Sequence, residues 1–449
     1  MPPDHDPILA PVPNALPPVE RVARMPVGFA AVGTTAGIKA SGRPDFALVV
    51  ATDGPIPAAA VFTPNRFAAA PVRLSRANLQ ATGGSATTCG YAAAVIATSG
   101  SANAATGPEG DADQAAIGRA VADAIGTTPD HVLHLSTGVI GTRLPVDKVA
   151  ATIKRVTDEG LEYTDLALGQ AAVSLRTTDS TTKMASVTAK LPTPDGGTVA
   201  VAVTGIAKGV GMIHPRMATM LSIVLTDATA SPALLRTLLR GAAAVTWDQL
   251  SVDGDTSTND TVFALASGGA GAISADEDDR VRAALGAAIE AVARDLARQQ
   301  ARDGEGATAL ITCQVTGAAD DADARAVARA VISSSLVKAA VHGKDANWGR
   351  IAGAAGNALV AESAVLEAAG LSPGEAAARA SQPAAVDPAR MRIAIAGHLA
   401  YDGATGGPTG IDRRRPATRW MLTRSSSAST SGWATARVRP SGARSPRRT

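Results

Sequence analysis

The sequence is short of the residues that build disulfide frameworks, cysteine-rich metal sites and aromatic cores. Of 449 residues only Cys89 and Cys313 are cysteine. Two distant thiols exclude a disulfide scaffold and a cysteine-rich zinc site, and they fit a reducing compartment. Aromatic residues make up 3% of the chain, so the core has to be filled by Ala, Val, Leu and Ile. Neither sign of charge is in surplus: 42 basic residues face 40 acidic ones, which gives no sign of a nucleic-acid or membrane surface. No apolar run reaches the roughly 18 residues that suggest a spanning helix. The first 25 residues are Pro-rich and lack the basic start and apolar stretch of a secretory signal. A soluble, cytoplasmic protein without bound cofactor or metal is expected.

What is present is a chain with 46% apolar residues, long enough for one large domain or two closely packed ones. Short apolar runs alternate with longer helical patterns, an α/β arrangement. The runs at 46–51, 92–97, 198–205, 220–225 and 309–315 read as strands. Apolar spacings of three and four predict helices over 111–125, 232–245, 276–302 and 321–337. Another is expected after Pro145, since proline suits a helix's first turn. Strands that come in pairs before helix pairs favour a layered sandwich over a doubly wound sheet. Residues 1–25 read as a disordered extension, and from about Arg413 the text turns to Arg, Ser, Thr and Pro, the composition of a disordered basic tail.

Three stretches could carry chemistry. The densest runs from Lys208 to Leu221, KGVGMIHPRMATML, where a glycine segment and Pro215 lead into an apolar strand. Thr219 stands where loop meets strand. Attack of its hydroxyl on the Ala218 carbonyl, followed by an N-to-O acyl shift and hydrolysis, would leave a Thr with a free α-amine beside its own hydroxyl. A threonine hydroxyl needs a neighbouring base, and an α-amine titrating at about 7.7–8.0 is suited to that work. Taken singly, Thr219 also fits a buried strand residue after a turn. In Leu135–Gly141, the Thr137 hydroxyl and the Gly138 amide can both point at one oxygen, an oxyanion hole worth on the order of 3 kcal/mol per donor. An ordinary turn is the alternative there.

The third set, Thr177–Asp179, Asp253–Asp260 and Gly304–Thr308, is polar and fits capping roles equally well. Glu305, between two glycines, could hold a substrate ammonium group. The Asp253 run lacks the glutamate of a calcium loop. His214 has no evident acidic orienter, and Gly209 with Gly211 is too slight a pattern for a nucleotide site.

Together these segments resemble the ornithine acetyltransferase family, the bifunctional glutamate N-acetyltransferases of arginine biosynthesis. The likeness runs from Pro26 to Gly356 through nine ordered segments: PVGFAAVGTTAGIK, VFTPNRFAAAPV, TSGSANAATG, STGVIG, TTDST, KGVGMIHPRMATML, SVDGDTSTND, DGEGAT and VKAAVHGKDANWGRIAGAAG. It implies a self-cleaving α/β/β/α sandwich, cut between Ala218 and Thr219 into an alpha chain (26–218) and a beta chain (219–412). The two would stay together, commonly as a heterotetramer. Thr219 would be the nucleophile of a ping-pong cycle taking acetyl from N2-acetylornithine, and in bifunctional members from acetyl-CoA, to L-glutamate. The resemblance implies Thr137 and Gly138 as the oxyanion pair, and Thr177, Lys208, Thr219 and Glu305 as substrate contacts. A self-cleaving aminopeptidase or amidase of related fold is the competing reading.

The chain departs from the family at His214, Arg216 and Ser101, and above all in residues 413–449. The family's tail supplies an Asn and a hydroxyl residue to the pocket, whereas no Asn follows Asn357 here. One choice of codons for Ser429–Ala436, read one base back, spells Val-Asp-Leu-Gly-Val-Gly-Asp-Gly, much like the family's penultimate strand. The tail is therefore expected to be a frameshifted readout beginning between about Gly410 and Ser427. A chain truly ending this way is expected to lack two pocket ligands and a strand and to show weak or absent transferase activity, with an inactive remnant as a further alternative reading.

Overall fold

The structure is a computed structural model that describes residues 16–84, 88–214, 220–410 and the backbone of 431–438. Two sheets dominate. The first has the order β1-β2-β5-β6, from β1 (Phe29–Thr34), β2 (Phe46–Ala51), β5 (Ala94–Ser101) and β6 (Val132–Val139). The second has the order β4-β3-β11-β9-β8-β7, from β3 (Ile56–Phe62), β4 (Cys89–Ala92), β7 (Lys183–Pro192), β8 (Thr198–Lys208), β9 (Leu221–Thr226) and β11 (Thr261–Ala266).

Side-chain alternation sorts these strands into layers. Ala47 and Val49 of β2 and Val95 and Ala97 of β5 face the second sheet, where they share one core with Leu221, Ile223 and Leu225 of β9. The other faces of β2 and β5, Phe46, Leu48 and Ile96, pack with Ile117, Val121, Val149 and Ile153. Those residues belong to α2 (Gly107–Ile125) and α3 (Val146–Glu159). The outer face of the second sheet, including Val203, Val224 and Val262, packs under Leu235, Leu239, Leu285 and Leu296, from α5 (Pro232–Val245) and α6 (Asp279–Arg302). The result is the expected α/β/β/α sandwich. The layer between the sheets is completed by α1 (Ala70–Gly83) and α4 (Asp165–Leu175).

Beyond the sandwich, β12 (Ala309–Thr316) joins the two-residue β10 (Leu250–Ser251) through β16 (Ser431–Val438), under α7 (Asp321–Ser333) and α8 (Ser335–His342). A last small unit holds α9 (Trp348–Gly356), α10 (Ser363–Ala368), α11 (Pro373–Arg379) and the sheet β13 (Arg392–Ile395), β14 (His398–Asp402) and β15 (Gly407–Pro408). Among the described residues no helix is long and apolar enough to cross a membrane.

The structure corrects four expectations. The strand read over 92–97 is two strands, because the chain leaves one sheet at Ala92 and enters the other at Ala94. The helix read over 321–337 breaks at Ser334, whose hydroxyl accepts from the Val337 N–H and starts a new helix; serine competes for backbone groups in this way. Residues 16–25 are packed rather than loose: Glu20 bridges to Ser186, Ala23 is buried, and Arg21 pairs with Asp295. The bridge to Ser186 explains the change, since it gives this short segment backbone partners.

The tail is the fourth. Ser431–Val438 is a strand, antiparallel to β12 over eight residue pairs and parallel to β10. Backbone groups of β10 and β12 are paired by the inserted strand, and ladder pairing depends little on which side chains the strand carries. The strand expected to be missing is thus supplied.

Candidate functional site

Gly138 shows why glycine is required in the turn that ends β6. Its φ is +138°, and a Cβ there would lie 2.2 Å from the Gly100 carbonyl carbon. The pairing of β5 with β6 slips at this point, Ser101 facing both Thr137 and Val139. An irregularity at a strand end re-aims side chains and backbone amides. Thr137 is buried, and its carbonyl neighbour, that of Ser136, accepts from Asn259 Nδ2 at 2.8 Å.

On its other side Gly100 packs against Ile38 and Lys39. Lys39 Nζ donates to the carbonyls of Pro44 at 2.7 Å and Arg176 at 2.6 Å. Burial lowers its pKa to about 8, opposed by Asp45 and assisted by nearby Lys208. Through these contacts the turn is joined to the second part of the site, a buried cluster of charge.

Lys183 is fully buried, and its ammonium donates to Asp179 and Asp303 at 2.7 Å each. Asp179 also accepts from the Gly209 N–H at 2.8 Å and the Thr177 N–H at 3.1 Å. Burial pushes the Asp179 carboxyl up, but Lys208, Lys183 and the Gly209 N–H outweigh it and hold it well below the usual range. Asp303 behaves alike: burial raises it, while Lys183 and Ser180 hold it down.

Lys208 ends β8 with its Nζ 3.9 Å from Asp179. Its carbonyl accepts from Gln300, which in turn accepts from the buried Trp247 indole N–H. Burial lowers the Lys208 pKa, Asp179 opposes that, and Lys183 adds to it; Glu305 and Asp260 also act on it from nearby. Exposed Glu305 accepts from the Thr178 hydroxyl at 2.6 Å, and its N–H donates to the Val210 carbonyl at 2.6 Å.

The structure therefore gathers Thr177, Lys208 and Glu305 about the Asp179 cluster: the Thr177 N–H and the Lys208 ammonium both face Asp179, and Glu305 bears on Lys208. Ala218 and Thr219 lie outside the described residues, as do Pro215 and Arg216. Their neighbour Met220 is described and tightly held: its N–H donates to Asp260 at 3.0 Å and its carbonyl accepts from the Thr261 N–H. Asp253 caps the amides of Met212 and Ile213, a structural use of that acidic run. His214 Nδ1 lies 3.5 Å from the Ser251 hydroxyl. Lys183 was not singled out in the sequence, and Asp260 and Asp303 entered it only as the ends of the quoted polar segments. Lys183 and Asp303 are 120 residues apart, so nothing local signalled their pairing.

Fold and site together define a sandwich enzyme of the acyltransferase class. The ArgJ family model matches residues 30–394. The chain is 43% identical over 385 residues to the arginine biosynthesis bifunctional protein ArgJ of Thermosynechococcus vestitus, covering 86% of this chain and 88% of that one. Its counterpart in a Synechococcus strain is 45% identical over 340 residues, covering 75% and 77%. Among solved structures, ornithine acetyltransferase from Mycobacterium tuberculosis, complexed with ornithine, is 38% identical over 44% of this chain and 97% of that chain, with a TM-score of 0.38. The chain belongs to the ArgJ family.

Proposed function

We propose that the chain cuts itself between Ala218 and Thr219 and then moves acetyl from N2-acetyl-L-ornithine to L-glutamate in arginine biosynthesis. The observation that supports this reading is a tight glycine turn at Gly138, where β5 and β6 slip register, together with Lys208 buried at the end of β8.

The Thr219 hydroxyl attacks the acetyl carbonyl, and its own α-amine takes the proton. The Thr137 hydroxyl and the Gly138 N–H donate to the oxygen that becomes negative. The amide C–N bond breaks, ornithine leaves with the proton, and an acetyl ester remains on Thr219. The glutamate amine then attacks that ester and frees the hydroxyl. Both substrates are amino acids: Lys208 suits their carboxylate, Glu305 the ammonium group, and Thr177 lines the same wall. Acetyl-CoA serves as a second donor, which makes the enzyme bifunctional.

Sheet order supports two chains that stay together after the cut. β9 follows residue 219, yet it lies between β8, from before the cut, and β11. Two alpha and two beta chains form the heterotetramer of this reading, and the cytoplasm is its compartment.

Incubation with N2-acetylornithine, with and without glutamate, tests the function. Ornithine release that requires glutamate and yields N-acetylglutamate is expected. Steady release without glutamate would mark an amidase and overturn the reading. Replacing acetylornithine by acetyl-CoA separates one donor from two.

A further inference from the structure

Lys39 closes the segment PVGFAAVGTTAGIK and has no part in the scheme above, yet it touches both the Gly100–Gly138 step and the stretch that carries Thr177. It lies in the loop between β1 and β2. Fully buried Asp45 fixes that loop: its carboxylate accepts from the N–H groups of Ala36 at 2.6 Å, Ile38 at 2.7 Å and Lys39 at 2.8 Å. Bonds to an ionised acceptor are the strong ones, so the Lys39 backbone is held in place.

The side chain then acts in two parts. Its stem runs past Gly100, where a Cβ would lie 3.1 Å from Lys39 Cγ, and Gly100 is the residue that Gly138 abuts. Its ammonium donates to the carbonyl of Pro44 and, far along the chain, to that of Arg176. Arg176 opens a closed turn. The Thr177 N–H donates to the Asp179 carboxylate at 3.1 Å, and the Arg176 guanidinium donates to the carbonyls of Asp179 at 2.7 Å and Ser180 at 2.9 Å. Lys39 thus ties that turn to the β1–β2 loop. A neutral donor would bind two carbonyls without the cost of burying a charge, so the charge here asks for a use.

We infer that Lys39 is a positioning residue for acetyl transfer: its ammonium sets the Thr177–Asp179 turn for the substrate, and its stem backs Gly100 behind Gly138. This rests on the roles proposed above for Thr177, Lys208 and Gly138. The groups around the ammonium set when it is charged. Burial lowers its pKa to about 8, Asp45 and Asp179 favour the charged form, and Lys208 and Arg43 oppose it. Loss of the proton turns two charge-assisted bonds into weaker neutral ones.

Steady-state kinetics of the purified full chain with N2-acetylornithine and glutamate test this, on samples shown to be folded by circular dichroism and thermal unfolding. Lys39→Met keeps the stem and removes the ammonium, so KM should rise on the order of 10-fold with kcat nearly retained. Lys39→Ala removes both parts, and kcat should fall as well, by on the order of 10- to 100-fold. Lys39→Arg keeps both and should recover most of the wild-type KM. A folded Lys39→Met chain with the wild-type KM overturns the proposal, as does one that loses as much kcat as Lys39→Ala. If Lys39→Met does not fold, KM against pH decides. In the wild type it must rise as pH passes about 8, and it must stay flat there in Lys39→Arg, whose guanidinium keeps its charge. A wild-type KM that stays flat overturns the proposal. A wild-type chain that passes no acetyl to glutamate would instead remove the underlying reading.

Discussion

The two walls of the site are built from different materials. The Thr137–Gly138 wall is made by backbone: a positive-φ glycine, a register slip and one contact too close for any Cβ. The Lys208 wall is made by charge: one fully buried lysine between two carboxylates, with a second lysine behind them. A backbone wall keeps no charge buried. A buried-charge wall is held only while every member is present.

That contrast is tested most severely by removing Lys183. Lys183→Met leaves Asp179 and Asp303 buried without their ammonium and should cost about 3–5 kcal/mol of unfolding free energy, read by chemical denaturation. The pH dependence follows. The folded carboxyls of Asp179 and Asp303 lie below their unfolded value of about 4. Their contribution is full above that value and is lost as pH falls through the folded ones. Lys183→Met should flatten this acid limb. Asp260 has the opposite sign, since its raised carboxyl favours the folded state at low pH and loses that contribution as pH rises.

The backbone wall should answer in rate. Thr137→Val keeps the shape and removes a donor, so kcat should drop about 100- to 1,000-fold with the denaturation midpoint nearly unchanged. An equal loss of stability would make the two walls alike. Gly138→Ala should lose activity as well, and its forced φ adds about 1–3 kcal/mol of strain. The smallest effect lies far from both walls. Ser334→Ala removes the cap of α8 and should cost about 1 kcal/mol, with kcat unaltered.

The same contrast explains what could be read in advance. β2 and α5 appear with the bounds expected for them. A continuous apolar run marks β2, and the pair Ser231–Pro232 marks the start of α5, the Ser231 hydroxyl accepting from the Leu234 N–H. The tight turn at Gly138 was legible because glycine leaves a mark in the sequence. The charge cluster was only half legible: Lys208 and Asp179 sit in recognisable segments, whereas Lys183 gains its meaning from Asp303, on the far side of β8, β9 and α6 in the chain. The sheet switch at Ala93 was hidden because a continuous apolar run carries no sign of which sheet it joins. Over Ser431–Val438 the Arg- and Ser-rich sequence on either side concealed a strand that two neighbouring strands pair.

Intact mass spectrometry of the purified full-length protein, before and after exposure to N2-acetylornithine, bears most directly on the central claim. Two fragments divided ahead of residue 219 are expected, the second gaining one acetyl group on its first residue, and the fragment's mass also reads the true sequence after Gly410. A folded, active sample that shows a single 44.9 kDa species and takes up no acetyl at that position would contradict the account.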